Sequence, residues 1–130
     1  SAFKIVPICF LMQDLSSARE VGQAVAKVLH DKKAVIIASS DMTHYEPQES
    51  AERKDKKALE AIEALDEVRF QSAIETYNIT ACGHGPIVTL ITAAKVFGGR
   101  EAKLLCYKTS GDVIGDRSSV VGYAAVCFMK

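Results

Sequence analysis

Two short segments hold the side chains with which a protein does acid–base or metal chemistry. Ser39-Ser40-Asp41-Met42-Thr43-His44-Tyr45 places a carboxylate three residues before an imidazole. At that spacing the carboxylate can orient the ring or share a metal with it, and the imidazole exchanges protons near neutral pH. The same pair also has the form of a turn-capping aspartate beside a loop histidine whose bonds are met. Cys82-Gly83-His84-Gly85-Pro86 is the second segment. Its glycines permit unusual backbone angles, and a helix opening at Pro86 turns its free amides toward the loop. Such a setting favours a thiolate, which can bind a soft or borderline metal or act as a nucleophile. Glycine-flanked loops also occur for geometry alone. Cys82 and His44 are too far apart in sequence for a local zinc motif, so only the fold can bring them together.

The remaining polar candidates are weaker. His84 can join this group or, between two glycines, point into solvent. His30 sits at a helix end, where a cation suits the macrodipole, and is given no role. The connector from Ser110 to Ser119 carries Asp112, Asp116 and Arg117 beside glycines; it reads either as a flap over a site or as a solvated turn. There is no phosphate-binding loop, dinucleotide fingerprint or nucleophile elbow.

The elements that must position these residues follow from apolar periodicity. Phe3–Met12 is apolar and β-branched and is expected to form a buried strand. A helix follows, with Ser17 and Glu20 as a capping box and Val21, Val25, Val28 and Leu29 on one face. Ala34–Ala38 reads as a second strand, parallel to the first, with Asp41 and His44 beyond its carboxyl end, where open α/β sheets place ligands. Charge-dense Glu49–Leu65 keeps Ala58, Ile62 and Leu65 at helical spacing, its charges forming a solvated face. Asp66 caps a further helix carrying Phe70, Ala73, Ile74 and Tyr77, ended by Asn78. Pro86 opens another, with Ile87, Leu90, Ile91 and Ala94 inward and Gly98-Gly99 closing it. Lys103–Thr109 and Val120–Phe128 complete the set as strands. This order predicts an α/β fold, a three-layer α/β/α sandwich with a mixed, largely parallel sheet, in one domain over residues 1–130.

The totals set bounds on partners. The chain has 130 residues, 48% hydrophobic, and 16 basic side chains balance 16 acidic ones. No net field draws it to nucleic acid or an anionic membrane, and aromatics are not interleaved with a basic patch. Its apolar runs fall short of the roughly 20 residues a membrane-spanning helix requires, and no secretory leader opens it, so a cytoplasmic domain is expected. Four dispersed cysteines suggest reduced thiols, with Cys9, Cys106 and Cys127 buried in apolar runs.

Ser39–Tyr45, Cys82-Gly83-His84-Gly85-Pro86-Ile87 and Tyr107-Lys108-Thr109-Ser110-Gly111-Asp112 together resemble Memo-family proteins, whose prokaryotic members are called AmmeMemoRadiSam system protein B. The likeness runs from Phe3-Lys4-Ile5-Val6-Pro7-Ile8 to the last strand. It implies a fold related to class III extradiol dioxygenases and a redox-metal pocket holding copper or non-haem iron. Carried over, Cys82 matches the family's metal-binding cysteine, where the dioxygenases use a carboxylate. Asp41 and His44 match its acidic and histidine pocket residues, with His44 in the place of the dioxygenases' general acid/base and also beside the metal. The family's first two metal-binding histidines lie in an amino-terminal half outside these residues, so the resemblance implies a carboxyl-terminal half whose partner half completes the site. An exposed sheet edge would favour self-association into a homo-oligomer. A metal-dependent oxidoreductase of unknown substrate is the first reading. A non-catalytic module binding a peptide or small molecule in the same pocket is the second, and a Cys82–His44 hydrolase without metal is the third.

Overall fold

The computed structural model describes residues 2–129. Helix α1 spans Leu15–Leu29, and a three-residue strand, β1 (His44–Glu46), follows a long extended stretch. Helices α2 (Gln48–Glu63), α3 (Glu67–Thr76) and α4 (His84–Val96) come next. The chain closes with β2 (Glu101–Thr109), the short α5 (Ser110–Ile114) and β3 (Val120–Met129).

The fold belongs to the α/β class, but the sheet corrects the expectation of parallel strands. Its order is β1-β3-β2 and both pairings are antiparallel. β2 and β3 pair from Glu101↔Met129 to Thr109↔Gly122, with Leu105 as the extra residue of a bulge. α2 packs on one face of this sheet. The opposite face leaves Cys106, Tyr123, Cys127 and Met129 exposed.

The two expected strands Phe3–Met12 and Ala34–Ala38 do not form as strands. Residues 2–12 and 33–40 make no backbone–backbone hydrogen bonds to one another or to the sheet. A strand exists only where a neighbour accepts and donates, and here no strand lies alongside. Their outward side chains are bare: Leu11 is 98% exposed and Val35 86%, a cost that water-facing apolar surface imposes unless something covers it. Phe10 and Ala38 still touch the core. Before Met42 the second stretch makes no backbone bond to β3, and an apolar cavity of about 70 Å³ lies among Ala38, Met42, Leu59, Ile87 and Val126. Cys9, Cys106 and Cys127 are exposed rather than buried for the same reason: each lies on a stretch or sheet face with no layer over it.

The helices follow the sequence more closely. α1 is capped by Asp14, which accepts from Ser17 N at 3.0 Å, so the expected Ser17/Glu20 box gives way to a cap three residues earlier. Its buried stripe is Ala18, Gly22 and Ala26, with the valines flanking it and Val28 65% exposed. Small residues win because α4 lies so close that a Cβ on Gly22 would stand 2.7 Å from Thr89 O and Thr92 Cβ. α2 buries Ala58 and Ile62, and α3 is capped by Asp66 and buries Phe70, Ala73 and Ile74. Tyr77 is 44% exposed at the carboxyl end of α3, and Asn78 follows with φ 49°. α4 buries Ile87, Ile91 and Ala94 and ends at Gly98, whose φ of 79° suits glycine. The core sits between these helices and the inner sheet face. No helix among the described residues is long and apolar enough to cross a membrane.

Candidate metal centre

Asp41 and His44 lie where the extended stretch after Ala38 meets β3. Met42 N donates to Gly122 O at 2.9 Å and Gly122 N to Thr43 O at 3.0 Å, so β3 fixes the backbone between the two residues. Cys82 sits on the turn entering α4, which is drawn against the same stretch by two bonds. Cys82 N donates to Asp41 O at 3.3 Å, and Gly83 N to Ser40 Oγ at 2.8 Å. Gly83 is required by this approach, since a Cβ there would run into the Ser39 carbonyl.

The consequence is a trio. One donor atom each from Asp41, His44 and Cys82 lie within 4.8 Å of one another, and among the described residues this is the one such group of histidine, cysteine and carboxylate donors. His44 Nε2 stands 3.9 Å from Asp41 Oδ2, too far for a hydrogen bond but close enough to share a charge. Asp41 N donates to Cys82 Sγ at 3.2 Å. The site is open to water, with the Asp41 side chain 49% exposed and that of His44 22%.

His44 has two unlike nitrogens. Nδ1 is buried and finds no hydrogen-bond partner, whereas Nε2 faces Asp41. Its own backbone N donates to Thr80 Oγ1 at 2.7 Å. Tyr45, next along, takes a left-handed φ of 57° and is 78% exposed, with its ring edge-on to the imidazole at 5.7 Å between centroids. A tyrosine held at such a φ is strained, and strain of this kind collects at ligand sites.

The other sequence candidates fall elsewhere. His84 turns to α3, its Nδ1 3.4 Å from Gln71 Oε1, and burial holds its imidazole below the usual histidine range. His30 pairs with Asp31 in solvent. The Ser110–Ser119 connector is helical in part. Its first half is α5, closed by a Thr109/Asp112 capping box and by Gly115 at φ 82°, and it ties to the start of α2 through Gln48.

Three supporting residues escaped the sequence reading. Gln13 accepts from Gly85 N at 2.9 Å and donates to Cys82 O at 3.1 Å, clamping the cysteine turn. Thr80 holds the His44 amide. Asp55, from α2, is wholly buried and binds Thr43. Its signal was available: Ala51, Asp55, Ala58 and Ile62 recur at three- and four-residue spacing, which puts the carboxylate on the apolar stripe.

A family model described as Memo-like protein matches residues 1–127. The chain belongs to the Memo-like family. A MEMO1 family protein of Methanopyrus kandleri is 50% identical over 131 residues, which is 99% of this chain and 46% of that protein. Others are found in Methanocaldococcus jannaschii, 48% identical over 95% of this chain and 44% of the relative, and in Methanosarcina acetivorans, 48% over 95% and 47%. This Memo-like chain therefore spans about half the length of the curated relatives it matches.

The donor set fits a metal of borderline or soft character. A sulfur, an imidazole nitrogen and a carboxylate oxygen converge from two segments held together by backbone bonds. Three protein donors leave room for further ligands. The orphaned Nδ1 means that the ring's second nitrogen lacks the acceptor that metal-ligating histidines normally use.

Proposed function

We propose that this Memo-like chain contributes Cys82, His44 and Asp41 to a redox-active copper or non-haem iron centre of an oxidoreductase related to the class III extradiol dioxygenases, its substrate unknown. The observation that carries this reading is the convergence of the three donors within 4.8 Å. Sulfur softens the set, which favours copper or low-valent iron over magnesium or calcium. Such a metal, when bound, supplies one-electron and oxygen chemistry. Cys82 and His44 hold it. His44 offers one accessible nitrogen, Nε2, so the ring serves either as ligand or as proton-transferring group at a given moment. Asp41, half exposed beside Nε2, orients the ring and passes protons to solvent.

The remaining ligands are assigned to an amino-terminal half carrying metal-binding histidines, within the length of the relatives that this chain does not span. Three donors in an open site, two apolar stretches without strand partners and a bare sheet face all support that completion. Strands beside Phe3–Met12 and Ala34–Ala38, with helices over the bare face, would give the three-layer sandwich expected from the sequence. A small molecule or peptide would then bind between the halves. Four free cysteines are in keeping with a reducing cytoplasm.

The test is copper(I) and iron(II) binding under reducing conditions, on this chain, on Cys82→Ser and His44→Ala, and on a form extended by the relatives' amino-terminal half. Tight binding in the extended form that Cys82→Ser abolishes is the expected result. Absence of binding in every form would refute the metal reading and leave the pocket to peptide recognition.

A further inference from the structure

Asp55 is a buried carboxylate that the proposed chemistry does not use. It stands on α2 with no exposed surface, yet three donors converge on it from two other places in the chain. Thr43 N donates to Oδ1 at 3.0 Å, Thr43 Oγ1 to the same oxygen at 2.6 Å, and Tyr107 OH, from β2, to Oδ2 at 2.8 Å. Gly122 on β3 closes the cradle, because a Cβ there would overlap Asp55 Oδ2. A carboxylate is the one side chain that accepts all three bonds without needing to donate. Burial pushes the Asp55 carboxyl up, while the Thr43 and Tyr107 bonds pull it down. The charge of Glu46 also raises it.

We propose that Asp55 is a positioning residue for the Asp41–His44–Cys82 site, acting through Thr43 on the backbone that presents His44. The geometry is that of a peptide held on both sides. Thr43 N–H goes to Asp55 and Thr43 C=O to Gly122 N, and the next amide, His44 N–H, goes to Thr80. In a regular antiparallel pair the N–H and C=O of one residue face the same neighbour, so the Thr43 N–H would face β3 together with its carbonyl. Here it goes to Asp55 instead, and the Cα of His44 is set by bonds that its own side chain does not make. Thr43 itself is fully buried and cannot turn to water instead.

This inference rests on the metal-site reading, and its test separates the two. Cobalt(II) is titrated into the chain and into Asp55→Ala, Asp55→Asn, Thr43→Val and Tyr107→Phe, with the thiolate-to-cobalt absorption recorded. The Asp41 amide and His44 ring signals of each metal-free form are followed by NMR at one pH, and urea midpoints are measured alongside. Thr43→Val and Asp55→Ala should weaken cobalt binding about 10- to 100-fold, as loss of outer-shell support does, and should shift both spectra. Asp55→Asn keeps an acceptor for Thr43 and should restore both. Tyr107→Phe should lower the urea midpoint and leave the site signals where they are. A folded Thr43→Val with wild-type affinity, absorption and NMR signals would overturn the proposal, and this variant decides if Asp55→Ala fails to fold. Absence of cobalt binding in the unmutated chain would pass the metal reading to the extended form and say nothing against positioning, which the metal-free NMR signals then decide.

Discussion

Replacement of Gln13 by alanine should loosen the turn that carries Cys82, by an amount that can be worked out bond by bond. The α4 N-cap is Gly83, which has no side chain to cap with, and Gln13 Oε1 does that work from a distant part of the chain by accepting from Gly85 N at 2.9 Å. Loss of a side-chain cap costs about 1 kcal/mol. The second bond, from Nε2 to Cys82 O at 3.1 Å, is more exposed. It adds about 0.5 kcal/mol, the low end for a neutral hydrogen bond, for a total near 1.5 kcal/mol. Gln13→Glu divides the two contributions. Its carboxylate still accepts from Gly85 N and suits the positive end of α4, but it cannot donate to Cys82 O, so about a third of the loss should remain. Urea unfolding reads the total. Amide exchange at Gly85 reads the cap, and removal of about 1 kcal/mol of protection should speed it about fivefold in the alanine variant. An unchanged Gly85 exchange rate together with an unmoved urea midpoint would refute the reasoning. Gly85→Ala should reach the same end from the other side, since its Cβ would stand 3.0 Å from Gln13 Cβ and Cγ.

Three further outcomes are expected. Gly22→Val drives a branched side chain into Thr89 O and Thr92, and urea unfolding should show a loss of about 1–3 kcal/mol, the cost of overpacking; an unchanged midpoint would mean that α1 does not lie against α4 as described. Glu67 is buried, and burial alone would raise its carboxyl, but bonds from Lys95 at 2.9 Å and Arg19 at 2.7 Å outweigh that and bring it below the ordinary 4.5. Its folded value is depressed, so its contribution is present above the unfolded value and lost as pH falls through the folded one; the stability gap between the chain and Glu67→Gln should be constant near neutrality and narrow below 4.5. The bare Phe3, Val6, Leu11, Val35 and Ile37 should make the chain self-associate as concentration rises, and sedimentation velocity showing a monomer throughout would contradict this.

Helices were legible where the signal is local. Asp66 caps α3, Phe70, Ala73 and Ile74 share its inward face, Pro86 falls in the first turn of α4 and Gly98 follows its end, all within the reach of a few residues. α1 shows the limit of that reasoning. Its valines mark an apolar face, but the stripe that goes inside is Ala18-Gly22-Ala26, because distance to α4 rather than hydrophobicity decides which side chains fit. The strands were read by composition, and composition was misleading at Phe3–Met12 and Ala34–Ala38. An apolar β-branched run states that a segment is suited to a sheet; whether it becomes a strand depends on a neighbour whose hydrogen bonds no local pattern encodes. β2 and β3 succeed because each supplies the other.

The same division runs through the site. Asp41, His44 and Cys82 stand out by residue type and by resemblance, and the fold brings them together, but the residues that hold them in place were hidden for a physical reason. Asp55 sits in a stretch where most charges face water, and only its phase, in step with Ala51, Ala58 and Ile62, sets it apart. A carboxylate in that phase must find donors or pull water into the core, and the donors come from Thr43, just before β1, and Tyr107, on β2. A charged residue in register with an apolar stripe thus announces that donors wait across the core. The partners remain invisible until the fold is known, since Thr43 shows only as a small polar residue beside His44 and Tyr107 as one aromatic in a strand. Gln13 is more deeply hidden, because its task arises from what Gly83 lacks. A glycine N-cap chosen for close approach to Ser39 leaves helix amides uncapped, and some side chain from another element has to satisfy them.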